Sequence, residues 1–208
     1  VNTLDPDQIK AILESAIFIS TEPVTIERLS ELFSPEERPT NQSLREILQT
    51  LETEYSARTI ALKKVATGYR FQVNSDIAPR LAGWMEDAPS RYSRALLETL
   101  SLIAYKQPIT RAEIEDVRGV SVSSSIIRTL QERDWIKPIG HRDVPGKPTL
   151  YGTTSKFLND LNLQSLSQLP ALLETNEEAG AAQLALAFEM PEEVQAEVQA
   201  SEEVSKVL

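Results

Sequence analysis

Residues 146–158, GKPTLYGTTSKFL, hold a Gly-Lys pair followed by threonines and a helix-forming run, the ingredients of a phosphate-binding loop. Such a loop needs G-x-x-x-x-G-K-[ST], because its glycine-rich turn aims backbone N–H groups at phosphates and the hydroxyl meets magnesium. Here five residues rather than four separate Gly140 from Gly146, and Pro148 stands at the hydroxyl position. That proline also removes an N–H from the cradle. Nucleotide binding is therefore not expected, and no other cofactor is indicated. The chain has no cysteine, and His141 is its only histidine. Disulfides, thiol nucleophiles and Cys-based zinc sites are excluded, and a His-rich metal site or a serine triad lacks its parts. His141, between Gly140 and Arg142-Asp143, reads as loop surface. The expectation is a protein that is not an enzyme.

The elements that position these residues follow from charge and periodicity. The net charge is −10 over 208 residues, which taken whole argues against nucleic acid. Residues 174–208 hold nine glutamates against Lys206, so −8 of the charge lies there and only −2 remains for residues 1–173. Residues 90–173 carry 8 acids and 11 bases, a balance that tolerates a polyanion. No apolar run is long enough for a membrane span, and the N-terminus lacks an export pattern, so the chain is expected to be cytoplasmic. Val1 in place of methionine points to an alternative start or to processing.

A repeat runs through the sequence. AILES (11–15) returns as ALLET (95–99), PVTIERL (23–29) as PITRAEI (108–114), and ILQTLETE (47–54) as IIRTLQER (126–133). In the first copy Ile9, Ile12, Leu13, Ala16 and Ile17 mark the inner face of a helix, and Thr25 is placed to cap a second helix through Leu29 and Leu32. Leu44, Ile47, Leu48 and Leu51 give a third helix its stripe, and alternation at Tyr69, Phe71 and Val73 around Thr67-Gly68 predicts two strands. The second copy repeats the plan through Leu96, Leu97, Leu100 and Ile103, then Ile114 and Val117, then Ile126, Ile127 and Leu130, with a hairpin turn at Val144-Pro145-Gly146. Thr149–Tyr151 then return a strand, and Thr154 caps a helix containing Phe157, Leu158 and Leu161 that can pack on the second copy. Three helices and a two-stranded wing make a winged helix. The expected fold class is mainly α with small β wings: two tandem winged-helix domains, 1–85 and 91–173, a linker at 86–90, and an acidic, disordered tail at 174–208.

Three stretches, ALLETLSLIAYKQPITRAEIEDVRGVS (95–121), IIRTLQER (126–133) and VPGKPTLYGTTSKFLNDLNLQSLSQLPAL (144–172), resemble the segregation and condensation protein B family. That family is the winged-helix partner of bacterial SMC condensin. The resemblance implies a non-catalytic subunit that forms a homodimer through its N-terminal domains and binds the kleisin subunit, segregation and condensation protein A. Through the kleisin it would join the SMC ATPase in chromosome condensation and segregation, in the cytoplasm at the nucleoid. Candidate partner-binding residues on this reading are Tyr105, Lys106, Gln107, Arg128, Lys147, Tyr151 and Phe157. Helix closure explains Tyr105–Gln107 equally well, and wing packing explains Tyr151. Two positions depart from the family: Lys147 stands where Arg is usual, and Leu-Asn-Leu (161–163) replaces Phe-Gly-Leu, which removes a glycine from the turn.

The rival reading is a winged-helix DNA-binding transcription regulator, which needs cations on the third helix and wing. In the first copy Arg45 is outnumbered by Glu46, Glu52 and Glu54. In the second, Arg128, Arg133, Lys137, Arg142 and Lys147 are opposed by Glu132, Asp134 and Asp143, so DNA contact is expected to be at most weak and nonspecific. Trp84 and Met85 are expected to cover the end of the first domain, and AAQLALAFEM (181–190) is apolar enough to dock on a partner.

Overall fold

In the computed structural model, residues 4–81, 84 and 92–169 are described. The fold is mainly helical with small antiparallel sheets, and the chain divides into two compact units. The first comprises Val1–Ala78 and Ser155–Leu169; the second includes Pro79–Thr154. Residues 170–208, and with them the expected tail, lie outside the described residues.

The first unit begins with α1 (Pro6–Ile19), α2 (Ile26–Ser30) and α3 (Asn41–Tyr55). Each helix starts where the sequence supplies a partner for free N–H groups. Pro6 opens α1, and the Asp5 N–H donates to Gln8 Oε1 at 3.1 Å. Thr25 caps α2 as expected, its Oγ1 accepting from the Arg28 N–H at 3.1 Å, and Thr40 does the same for Ser43 on α3. Ile9, Leu13 and Ile17 meet Leu29, Leu44, Leu48 and Leu51 in the core. Ile12, expected inside, lies on the outer side of α1. Its position, about 300° around the helix from Ile9 at 100° per residue, puts it beyond the buried stripe.

Strands β1 (Ile60–Val65) and β2 (Gly68–Val73) pair antiparallel, Ile60 opposite Val73 and Val65 opposite Gly68. The turn is Ala66-Thr67, one residue earlier than expected, because Gly68 already belongs to the strand. There a Cβ would lie 2.3 Å from the Val24 carbonyl oxygen. Only glycine permits that approach, which lets Val24 and Tyr69 exchange backbone hydrogen bonds of 2.8 and 2.9 Å.

The last part of this unit arrives late in the sequence. Helix α8 (Ser155–Asp160) was expected to pack on the second copy, yet residues 155–169 group with the first unit. Polar side chains fix them there. The Thr67 N–H donates to Asn159 Oδ1 at 3.2 Å and Asn159 Nδ2 donates to Thr67 Oγ1 at 2.7 Å. Arg70 Nη2 donates to the Asn159 carbonyl and to Asn162 Oδ1, both at 2.8 Å. Asn162 has φ +58°, the left-handed conformation that a glycine would supply, so the turn survives the Leu-Asn-Leu sequence.

The second unit contains α4 (Ala78–Leu81, from Pro79 onward), α5 (Arg94–Lys106), β3 (Ile109–Thr110), α6 (Arg111–Arg118), α7 (Ser124–Glu132), β4 (Ile136–His141) and β5 (Thr149–Thr153). Ser93 Oγ accepts from the Leu96 N–H to start α5, which is buried from Leu96 through Ala104 apart from Glu98. Thr110 and Glu113 form a reciprocal capping box on α6, and Gly119 ends that helix at φ +69°. The sheet order is β3-β5-β4, antiparallel throughout. Strand β3, two residues long, was not anticipated; it pairs Ile109 with Tyr151, much as Val24 meets Tyr69 in the first unit. The β4–β5 turn falls at Val144-Pro145-Gly146-Lys147, with the Lys147 N–H donating to the Val144 carbonyl at 2.9 Å. Proline then glycine at the two central positions suits a type II turn.

Candidate partner-binding surfaces

The seven candidate residues do not form one patch. Gln107 lies at the end of α5 and is engaged inside its own unit: its Oε1 accepts from the Thr153 N–H at 2.8 Å and its Nε2 donates to Thr153 Oγ1 at 3.0 Å. The carboxamide thus ties α5 to the end of β5 and satisfies a backbone group, a structural role rather than a free polar tip. Beside it Lys106 is exposed and Tyr105 half-buried, and burial pushes the Tyr105 phenol above its ordinary value. Tyr151 is half-buried in the central strand, paired with Ile109 on one side and Pro138 on the other. Lys147 occupies the opposite end of β5, in the turn, at φ +40°. Arg128 is exposed on α7 and paired with Glu132 at 2.7 Å. Phe157 is 0% exposed and offers no surface to a partner. A large ring on a short helix is the least soluble part of that helix, and here it is buried completely.

The remaining cations of the second unit are largely held by neighbours. Arg118 pairs with Glu98 at 2.8 Å and is only 10% exposed at its side chain. Arg111 pairs with Glu115 at 3.0 Å and also donates to Ser124 Oγ, while Glu115 accepts from the Val122 N–H. These bonds lower the Glu115 pKa, the Val122 N–H first and Arg111 next. Arg142 binds Glu113, which also accepts from the Thr110 N–H; the two together hold the Glu113 carboxyl at about 2. Arg133 stacks over Tyr92 and Trp135, 4.8 and 5.8 Å from their centroids. A face built to meet phosphates would leave its guanidinium groups open. Here the α7 face offers Arg128 against Glu132 instead.

Sequence reasoning missed the most exposed apolar surface of the first unit. Phe18 and Ile19, on the last turn of α1, are 67% and 79% exposed. With Gln8, Ala11, Ile12 and Ser15 they make an outward helix face without a charged residue. Along one border, Phe18 meets Phe71 edge-on at 6.2 Å, and Phe71 meets Tyr55 at 4.7 Å. Tyr55 donates its hydroxyl to Glu14, which raises the Tyr55 pKa, and Arg58 lies 4.3 Å over its ring. The signal was present in the sequence: Phe18 and Ile19 are apolar yet off the Ile9-Leu13-Ile17 stripe. Trp84, expected to cover the first domain, is 85% exposed in a turn whose N–H donates to the Leu81 carbonyl. Met85 lies outside the described residues. Among the described residues no group of three His, Cys, Asp or Glu side chains could hold a metal, and no helix is long and apolar enough to cross a membrane.

The sequence matches the family described as segregation and condensation complex subunit ScpB over residues 11–172. It is 50% identical over 185 residues to the segregation and condensation protein B homolog of Coxiella burnetii, covering 86% of this chain and 88% of that protein. It is 38% identical over 176 residues to segregation and condensation protein B of Syntrophotalea carbinolica, with 84% and 87% covered. The crystal structure of ScpB from Mycobacterium tuberculosis is 34% identical, with 76% of this chain and 97% of that one covered and a TM-score of 0.36. With half of the aligned residues identical to one relative and the family's span reaching from α1 to beyond α8, this chain belongs to the ScpB family of segregation and condensation complex subunits.

Proposed function

We propose that this chain is a non-catalytic, dimeric adaptor of an SMC–kleisin complex in chromosome condensation and segregation, built from two tandem winged helices. The first domain pairs two protomers, and the second grips the kleisin subunit, segregation and condensation protein A. The kleisin in turn connects the dimer to the SMC ATPase, in the cytoplasm at the nucleoid. The observation that carries this reading is the uncharged outer face of α1, with Phe18 and Ile19 more than half exposed. Exposed apolar side chains of that kind mark protein contacts rather than nucleic-acid contacts. On the second unit, Tyr105, Lys106, Arg128, Lys147 and Tyr151 remain the candidates for the kleisin. One kleisin reaching both protomers of a dimer would make its second contact intramolecular and raise overall affinity.

The rival DNA reading draws no support from Arg111, Arg118, Arg128 and Arg142, which are held by Glu115, Glu98, Glu132 and Glu113, or from Arg133, which is stacked on rings. Light scattering after size exclusion separates the two. A dimer that takes up the kleisin, with little dependence on salt, and ignores duplex DNA at physiological salt meets the adaptor reading. A species that shifts with DNA and never with the kleisin sinks it.

A further inference from the structure

The β4–β5 hairpin of the second unit carries an exposed apolar surface that sequence spacing did not single out. Strand β4 is the edge of the β3-β5-β4 sheet, and a β-bulge between Pro138 and Gly140 makes Ile139 its extra residue. The Ile139 side chain lies over Gly152, where a Cβ would come within 3.0 Å of Ile139 Cδ1. Ile139 is therefore seated on its own sheet while remaining 48% exposed. Val144, 46% exposed, is held in a turn closed by the Lys147 N–H to Val144 carbonyl bond and the Arg142 N–H to Pro148 carbonyl bond, both 2.9 Å. Side chains fixed in advance lose little freedom when a partner binds them.

Charge and backbone together say what such a surface fits. Lys137 and Lys147 are exposed and form no ion pair among the described residues, whereas Arg142 is held by Glu113. Asp143, also exposed, lies between them in sequence. A continuous phosphate backbone would meet that carboxylate and gain nothing from Ile139 or Val144. A polypeptide can place separate carboxylates at the two lysines and apolar side chains between them. Strand addition is closed off, because Pro138 offers the edge no N–H and the bulge interrupts the ladder of β4. Side chains must therefore carry the contact, as they do when an amphipathic helix lies on a surface. The stretch of hairpin from Ile139 to Val144 reaches at most about 17 Å, the length of about three turns of helix. We propose that the hairpin binds an acidic amphipathic helix of another polypeptide, its apolar side chains against Ile139 and Val144 and its carboxylates beside Lys137 and Lys147.

This surface lies wholly within the second unit, and its occupancy does not depend on the adaptor reading. Selection of binders to the full-length chain from a displayed library of random peptides tests it, followed by NMR of the chain with one synthetic peptide from the selected set. The expected consensus carries Asp or Glu bordering Leu, Ile or Phe at helical spacing, and the peptide should shift the amide signals of residues 137–147 saturably, less so at high salt. Ile139→Ser/Val144→Ser should weaken binding by about tenfold or more. Lys137→Glu/Lys147→Glu should weaken it likewise, while binding the same peptide with its acids exchanged for lysines. Lys137 and Lys147 are exposed, so this charge reversal should leave the thermal midpoint nearly unchanged, which separates lost binding from unfolding. Selected peptides without acids, shifts outside the hairpin, or no selected peptide at all overturn the proposal. So do shifts that appear with protein concentration alone, which assign the surface to a second copy, or equal shifts with duplex DNA at physiological salt, which assign it to phosphates.

Discussion

Asn159 is where a single truncation tests whether residues 155–169 are part of the first unit. Its side chain is 8% exposed by residue and makes both of its hydrogen bonds to one partner, accepting from the Thr67 N–H and donating to Thr67 Oγ1. Asn159→Ala removes both and leaves the Thr67 N–H, in the β1–β2 turn, without its acceptor. Two hydrogen bonds at about 1 kcal/mol each, plus part of the penalty of about 1–3 kcal/mol for an unsatisfied donor, give about 2–3 kcal/mol. Half-burial of Thr67 lets water recover some of this, so the lower end is expected. With a urea slope of about 2 kcal/mol per molar, the midpoint should fall by about 1 M. Exchange of the Thr67 amide, followed by NMR, should accelerate by about 30-fold if Asn159 is what protects it. Asn162→Gly is the control: it keeps the left-handed turn at φ +58° and loses only the acceptor for Arg70, so Thr67 exchange should hardly change. A Thr67 amide that exchanges identically in Asn159→Ala, with an unchanged urea midpoint, would refute the reasoning and detach residues 155–169 from the first unit.

Other substitutions test separate parts of the molecule. Gly152→Ala puts a Cβ 2.8 Å from Gln107 Oε1 and 3.0 Å from Ile139 Cδ1, and should lower stability by about 1–3 kcal/mol in chemical denaturation. Phe18→Ser/Ile19→Ser, both on exposed positions, should leave the thermal midpoint nearly unchanged while shifting light-scattering mass toward a monomer; an unchanged dimer would remove α1 from the proposed seam. Glu113, held at about 2 by Arg142 and the Thr110 N–H, has a folded value below its unfolded one. It therefore contributes stability fully above about pH 4.5, lost as pH falls toward 2. Glu113→Gln should be modestly less stable at neutral pH, with the gap to the parent closing across that acid window in pH-dependent denaturation; the carboxylate is partly exposed, which keeps the gap small.

What the sequence made legible followed from periodicity and from residues with few conformational options. The helix stripes at Ile9-Leu13-Ile17 and Leu44-Leu48-Leu51 stand in the core, and Val144-Pro145-Gly146 turns the chain where proline and glycine favour it. Misreadings share a physical cause: the decisive information lay in a distant partner. Strand β3 is two residues long, too short for any alternation to register, and exists because Tyr151 and Leu150 pair with it. Gln107 looks like a free polar tip until Thr153, 46 residues later, comes to meet it. Phe157 carries an apolar stripe that spacing identifies, but spacing cannot say whether such a stripe faces a core or a partner. Nor can it say which unit the helix joins; two asparagines, a threonine and an arginine decide that, and none of them contributes to a hydrophobic pattern.

The two copies reach similar layouts with different surface chemistry. In both, a β-bridge ahead of the second helix meets a tyrosine, Val24 with Tyr69 and Ile109 with Tyr151, so the framework is repeated in detail. The first copy leaves the outer face of its first helix uncharged and places two large apolar side chains at the end of it. The second copy instead buries most of the corresponding helix and fastens Arg111, Arg118 and Arg142 to glutamates. Burying α5 removes from the second copy the face that the first exposes, so self-association through this helix is open to one copy only. A guanidinium already paired with a carboxylate must be released before it meets a phosphate, at a cost that exposed lysines do not carry. Among the described residues of the second copy, Lys106, Arg128, Lys137 and Lys147 stay exposed, while Arg118 is nearly buried against Glu98.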